Sequence, residues 1–232
     1  MCRPASFVVT KDRVYWSKSS DSHEDIIKEN DLEESNIRSE IQFVRVEICP
    51  PGGDFRMPLE KWRYKTDQDL LPEWYVESEE EKRVRAVLPD WLKSNVVLPD
   101  QSVAEIRKPM VAIYGTVKSI DGGTVGYIRG GTVESIRGGT VKSIDGGTVE
   151  SIRGGTVESI DGGTVKYING GTVGSIHGGT VGYIRGQFPS RVTGNPTIIN
   201  YGLLTPDILK SSQAVLVDRS KGTVTCFVGK DI

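Results

Sequence analysis

Four places in this sequence hold residue types that can do chemistry. Cys2 follows the initiating methionine. Removal of Met1 would leave a thiol beside its own α-amine, a base with a pKa near 8, which makes Cys2 a candidate N-terminal nucleophile. His23 stands in Ser20-Asp21-Ser22-His23-Glu24-Asp25, among carboxylates that could orient it as a general base. The same string also reads as a helix N-terminus. Asp67 and Asp69 have the spacing of a metal-binding Asp-x-Asp, and equally that of two solvated loop acids. His177 occupies a repeat position otherwise held by Arg, Asp or Asn and reads as a surface variant. The catalytic candidates are therefore Cys2 and His23. No metal set is expected, because two histidines and three cysteines leave little for a structural zinc. No cofactor is expected either: the many glycines lack the strand, loop and helix context and the Lys-Ser/Thr of a phosphate loop.

Composition narrows the function classes. The 232 residues carry 29 basic against 31 acidic side chains, a net charge of −2. So even a balance argues against nucleic acid as a partner, which demands a basic footprint, and against a polyacidic mimic of DNA. No apolar run reaches the roughly 18 residues of a membrane span. The opening MCRPASFVVTKDR lacks the pattern of a cleaved signal, and the three cysteines (Cys2, Cys49, Cys226) are too scattered for a disulfide framework. The expectation is a soluble, reduced, cytoplasmic protein with no membrane partner.

The elements that would position these residues are dominated by a repeat. From Thr116 to Gln187 the chain runs through nine octads of the form Thr-Val-x-Ser/Tyr-Ile-x-Gly-Gly, the last ending in Gly-Gln. Thr, Val, Ile and Tyr suit a pleated surface, and Gly-Gly supplies the positive φ of a tight corner. A helix is excluded by two glycines in every eight residues, and collagen by the absence of a three-residue period. One octad cannot bury its own valine and isoleucine. Stacked octads can, as solenoid repeats do. The third position interchanges Lys, Glu and Gly and must face solvent. The fourth takes both Ser and Tyr (Tyr127, Tyr167, Tyr183) and so is expected outside the packed interior. A threonine array could order water, but the neighbouring Lys and Glu break it.

Charge sets the number of octads per coil. Three per coil would stack Lys118, Lys142 and Lys166 in one column, and like charges directly opposite are destabilising. Two per coil place Lys118 beside Glu134, Asp121 beside Arg137 and Arg129 beside Asp145, while some like pairs remain, such as Glu134 with Glu150. The prediction is a β-solenoid of about two octads per coil, with about four to five coils; an antiparallel β-meander is the alternative. Residues 100–115 (Val103, Ile106, Met110, Val111, Ile113) read as a degenerate first coil. Residues 188–232 read as a terminal coil (Phe188, Val192, Ile198, Ile199) and a cap, with a helix near 206–212 started by Thr205-Pro206-Asp207 and a hairpin over 214–219 and 223–228.

Residues 1–99 differ in kind. They hold all four tryptophans and 15 basic against 20 acidic residues, and they read as a small α+β domain. A hairpin surrounds Lys11-Asp12-Arg13, a helix starts near His23 behind Ser22, Gln42–Cys49 alternates as a strand, and Glu77–Leu92 reads as a helix threatened by Pro89. Tryptophan exposed on such a domain would anchor a partner. Trp16, Trp62 and Trp74 are candidate binding residues, and Tyr127, Tyr167 and Tyr183 are candidates on the repeats.

SDSHEDII (20–27), FVRVEICPP (43–51), the DQDLLPEWY stretch (67–75) and the GGTV octads together resemble uncharacterised proteins of phages and bacteria, with a tail like LKSSQAVLVDRS. The resemblance covers nearly the whole chain and implies a phage or prophage source, but no activity and no site residues. The opening MCRPAS departs from the MCG of N-terminal-nucleophile amidotransferases and of proteins that cross-link abasic DNA. The functional expectation is a non-enzymatic binding or scaffold protein that meets a protein partner or itself, its small-molecule ligand unspecified. The alternatives are an enzyme or covalent trap using Cys2, and a self-assembling structural protein.

Overall fold

The computed structural model describes residues 5–18, 20–185, 191–200, 213–218 and 225–228. Cys2, Phe188 and the segment expected as a helix near 206–212 lie outside them. The chain divides into two compact units, Met1–Val96 and Val97–Ile232.

The first unit is α+β. Strands β1 (Ala5–Thr10) and β2 (Val14–Tyr15) form the expected hairpin, closed by the Thr10 N–H donating to the Arg13 carbonyl at 2.8 Å. Helix α1 (His23–Glu29) begins where the Ser22 hydroxyl accepts from the Asp25 N–H, with Glu24 and Asp25 in the first turn, where the helix dipole favours them. Strands β3 (Phe43–Cys49) and β4 (Arg63–Thr66) complete an antiparallel sheet of order β2-β1-β3-β4. Helix α2 (Glu77–Asn95) runs through Pro89, whose ring sits on the exposed side, away from the buried Val84, Leu88 and Trp91.

Both faces of β1 are covered, which explains why Phe7, Val8 and Val9 follow one another without a polar residue between them. Successive side chains point to opposite faces. Phe7 packs on Trp91 with ring centroids 6.4 Å apart, and Trp91 stacks on Phe55 at 5.9 Å. Val8, on the other face, clusters with Ile26, Ile27 and Phe43.

The second unit is a β-solenoid of about six turns. Strands β5 (Val96–Val97), β6 (Ser102–Ile106) and β7 (Met110–Ile113) precede the repeats. Each octad supplies one five-residue strand, from β8 (Thr116–Ile120) through β16 (Thr180–Ile184). Strands β17 (Arg191–Val192), β18 (Thr197–Asn200), β19 (Val215–Asp218) and β20 (Thr225–Val228) follow. Alternate strands stack into two sheets, β20-β19-β18-β16-β14-β12-β10-β8-β6 and β17-β15-β13-β11-β9-β7-β5. Pairing within the repeats is parallel with a 16-residue register, Val133 lying between Val117 and Val149. That is two octads per coil, and it excludes the antiparallel meander. The coil count exceeds the expected four to five because the degenerate β6–β7 coil and the later β17 and β18 strands join the stack.

Valine and isoleucine are three residues apart, which in a straight strand would put them on opposite faces. Here the pairing passes over the third position, and from Val117 to Ile168 every repeat valine and isoleucine is fully buried in one shared core. Full burial of each such side chain contributes roughly 1.5–3 kcal/mol. Both glycines of a corner are needed, for different reasons. Gly139 has φ +71°, and a Cβ on Gly138 would meet the Asp121 carbonyl of the coil below at 2.6 Å. The ladder continues around the corner: the Thr140 N–H donates to Gly123 O at 2.9 Å and the Asp145 N–H to Ile128 O at 2.8 Å.

The serine column departs from expectation. Ser119, Ser135, Ser143 and Ser151 are buried although they lie apart from the aliphatic core. Side chains at position six close over them: the Ser143 hydroxyl lies within reach of Asp145 and, at 2.7 Å, of Asp161 one coil on, and its single proton can serve either carboxylate. Ser135 has Arg137 and Arg153 in those places, neither able to accept, and its hydroxyl has no partner among the described residues. Among the three expected charge pairs Arg129–Asp145 forms at 3.3 Å, and Lys166 reaches Glu150 at 2.7 Å. Lys118 and Glu134, and Asp121 and Arg137, are coil neighbours without an ion contact.

The 16-residue coil can be tested by deletion. Removing residues 140–155 joins matching strands and is expected to keep the melting temperature within about 5 °C of the parent. Removing residues 140–147 moves every later strand to the opposite sheet and is expected to lower it by more than about 10 °C. Thermal unfolding followed by circular dichroism reads both; equal effects would contradict the two-octad coil.

Candidate functional site

The residues most able to do chemistry gather on one face of the first unit's sheet. Alternation places Ser6 on β1, Arg45, Glu47 and Cys49 on β3, and Arg63 and Lys65 on β4 on the side that carries α1. Cross-strand register sets Ser6 beside Glu47, Glu47 beside Lys65 and Cys49 beside Arg63. Helix α1 covers the Val8–Phe43 end of this face.

His23, the first residue of α1, is buried. Its Nε2 donates to the Val46 carbonyl at 3.1 Å, which fixes the ring. Its Nδ1 faces Asp67 Oδ2 at 3.8 Å, an ion pair when the ring is protonated. Asp67 also binds Lys65 at 2.8 Å, and Lys65 stands 4.0 Å from Glu47. The hydrogen bond from Lys65 holds Asp67 below the usual carboxylate range, with His23 and Arg45 adding to the effect, and the same bond raises Lys65. The structure thus joins His23 to Asp67, two residues that the sequence offered separately. Asp69 is exposed, and among the described residues no three carboxylate, imidazole or thiol groups converge as metal ligands.

Asp21 lies at the edge of the same face, accepting from the Ser6 N–H at 3.0 Å. Burial raises its pKa from 3.8 to about 7; the Ser6 backbone and hydroxyl oppose the shift, and Glu47 adds to it. Beyond Cys49 the chain turns through Pro50-Pro51-Gly52-Gly53 and leaves a hollow of about 490 Å³ lined by these residues with Lys61 and Arg63.

The aromatic candidates separate. Trp62 is 1 % exposed, edge-on to Phe55 and Trp91, so it is a core residue rather than a surface anchor. Trp16 is half-buried. Trp74 is half-buried too, its Nε1 donating to the Ile41 carbonyl at 3.3 Å. Tyr167 and Tyr183 meet on adjacent coils of the nine-stranded sheet, with rings 6.4 Å apart. Arg185 covers Tyr183, and Tyr167 is 50 % exposed. Tyr127 belongs to the other sheet, under Arg129. His177 contacts the Thr193 hydroxyl through Nδ1. Sequence reasoning missed Cys49, Arg63 and Lys65 as neighbours; the Arg-x-Lys alternation at 63–65 was the available signal.

No protein-family model, no curated protein and no solved structure matches this chain. No helix among the described residues is long and apolar enough to cross a membrane.

The Asp21 environment gives a pH test. Its folded pKa is raised, so this group stabilises the fold at low pH, and that contribution is lost as pH rises from about 4 to about 7. Asp21→Asn keeps an acceptor for the Ser6 N–H and removes the charge. Urea midpoints should therefore move in favour of the variant, relative to wild type, between pH 5 and pH 8. A difference that does not change with pH contradicts the assignment.

Proposed function

We propose that this is a non-enzymatic binding protein in which the solenoid is a rigid spacer and the first unit carries the recognition surface. One observation carries the reading: the solenoid interior is filled by fully buried valine and isoleucine. Its outer columns include side chains engaged with one another from coil to coil. The first unit, in contrast, presents ionisable groups on an open sheet face beside a hollow of ligand size. A protein partner in the cytoplasm of a host cell, for a phage-encoded chain, accords with the resemblance of residues 20–27, 43–51 and 67–75.

Site-specific photo-crosslinking tests this. A photoreactive side chain at position 38 or 70, both exposed in the first unit, is expected to give partner adducts in excess of one at position 134 or 158 on the solenoid. Adducts confined to the solenoid positions, or a small-molecule turnover abolished by Cys2→Ala or His23→Ala, would overturn the reading.

A further inference from the structure

The hollow at the end of β3 holds a combination that the recognition reading does not use. Its walls carry two cations, Lys61 and Arg63, together with the Cys49 thiol, two prolines and two glycines. Most of the neighbouring charges are committed. Arg56 is paired to Asp54 at 2.8 Å, Lys65 to Asp67, Arg45 to Glu34, and Arg85 to Glu81. Lys61 and Arg63 have no carboxylate partner and no side-chain hydrogen bond among the described residues. A second hollow, of about 460 Å³, is lined by Glu24, Asp31, Glu33 and Glu34 with a single lysine. Wall charge therefore separates two spaces of similar size, and only the first is suited to an anion.

The fold explains why neither cation meets a carboxylate among the described residues. Arg63 opens β4, the edge strand, and its register partner is Cys49, a side chain that carries no fixed negative charge. Lys61 ends the turn that leads into β4, and the Pro50–Gly53 turn opposite supplies no acid. Arginine offers a planar fork that matches a phosphate or carboxylate, and lysine adds a point charge. About 490 Å³ lies within the range of small-molecule sites and exceeds what a bare phosphate fills.

We propose that this hollow binds a small phosphate monoester, its phosphate held between Lys61 and Arg63 and its organic part against Pro50, Pro51 and the Cys49 side chain. The site would serve a binding protein and an enzyme alike.

Cys49 reports on it directly. In the full-length chain carrying Cys2→Ser and Cys226→Ser, Cys49 is the one remaining thiol. Its alkylation by iodoacetate, an anion, and by iodoacetamide, which is neutral, is followed by mass spectrometry. Attraction by two cations predicts a rate ratio, anion over neutral reagent, about fivefold above that of a peptide spanning residues 46–52. Lys61→Gln with Arg63→Gln should return the ratio to the peptide value. Phenyl phosphate should protect Cys49 at lower concentration than inorganic phosphate does; equal protection would mean a simple phosphate site and overturn the monoester assignment. If Cys49 resists both reagents, amide shifts of Gly52 and Gly53 decide: saturable shifts with phenyl phosphate, lost in the double variant, support the site. A ratio equal to the peptide's, or shifts that do not saturate, would overturn it.

Discussion

A coil of this solenoid can hide its two valines and two isoleucines only against the coil above and the coil below. That dependence governs the rest of the second unit. The 16-residue register lets Val133 sit between Val117 and Val149 and lets the corner amides bond from coil to coil. Close stacking then dictates the corner sequence, because a Cβ at Gly138 would collide with the carbonyl beneath it. The same closeness brings position six of one coil over the serine of another. Ser143 has two aspartates within reach there, and Ser135, flanked by arginines, meets no acceptor among the described residues. A buried hydroxyl left unpaired costs about 1–3 kcal/mol, an expense a long aliphatic core can absorb.

The first unit answers to a different constraint. Its central strand is buried on both faces, by the Trp91–Phe55 ring cluster on one and by α1 on the other. Because α1 is only seven residues long, it covers one end of its face and leaves the polar end open. Glu47, Lys65, Cys49 and Arg63 stand beyond the helix, beside the buried Ser6, with Asp21 arriving from the segment that leads into α1 and His23 from its first turn. A short helix over a wider sheet is thus what gathers charged groups in one place.

What could be read in the sequence follows from how local its causes are. The octad strands, the glycine corners, the Ser22 cap and the hairpin at Lys11-Asp12-Arg13 depend on residues a few positions apart, and they were legible. So was the two-octad coil, because some opposite charges recur at 16 residues: Arg129–Asp145 forms the contact that the pattern implied, although like charges such as Asp145 and Asp161 also stand one coil apart. The pairing of His23 with Asp67, and of Cys49 with Arg63, depends on sheet register between distant segments and left no local mark. Strand β4 was missed because Arg-Tyr-Lys-Thr presents no apolar face, as befits an edge strand with one neighbour. Trp62 looked like a surface anchor because tryptophan serves both interfaces and cores, and only its stacking with Phe55 and Trp91 separates the two. The serine column looked solvent-facing because its burial comes from neighbouring coils rather than from its own strand.

Amide hydrogen exchange, followed by mass spectrometry of the intact chain and its peptides, tests the shared interior most directly. Stacked, dry coils predict slow and closely similar exchange for Thr140–Ile144, Thr148–Ile152 and Thr156–Ile160, including the first amide after each glycine pair. Exchange of those segments within seconds, at the rate of an unstructured peptide, would contradict it.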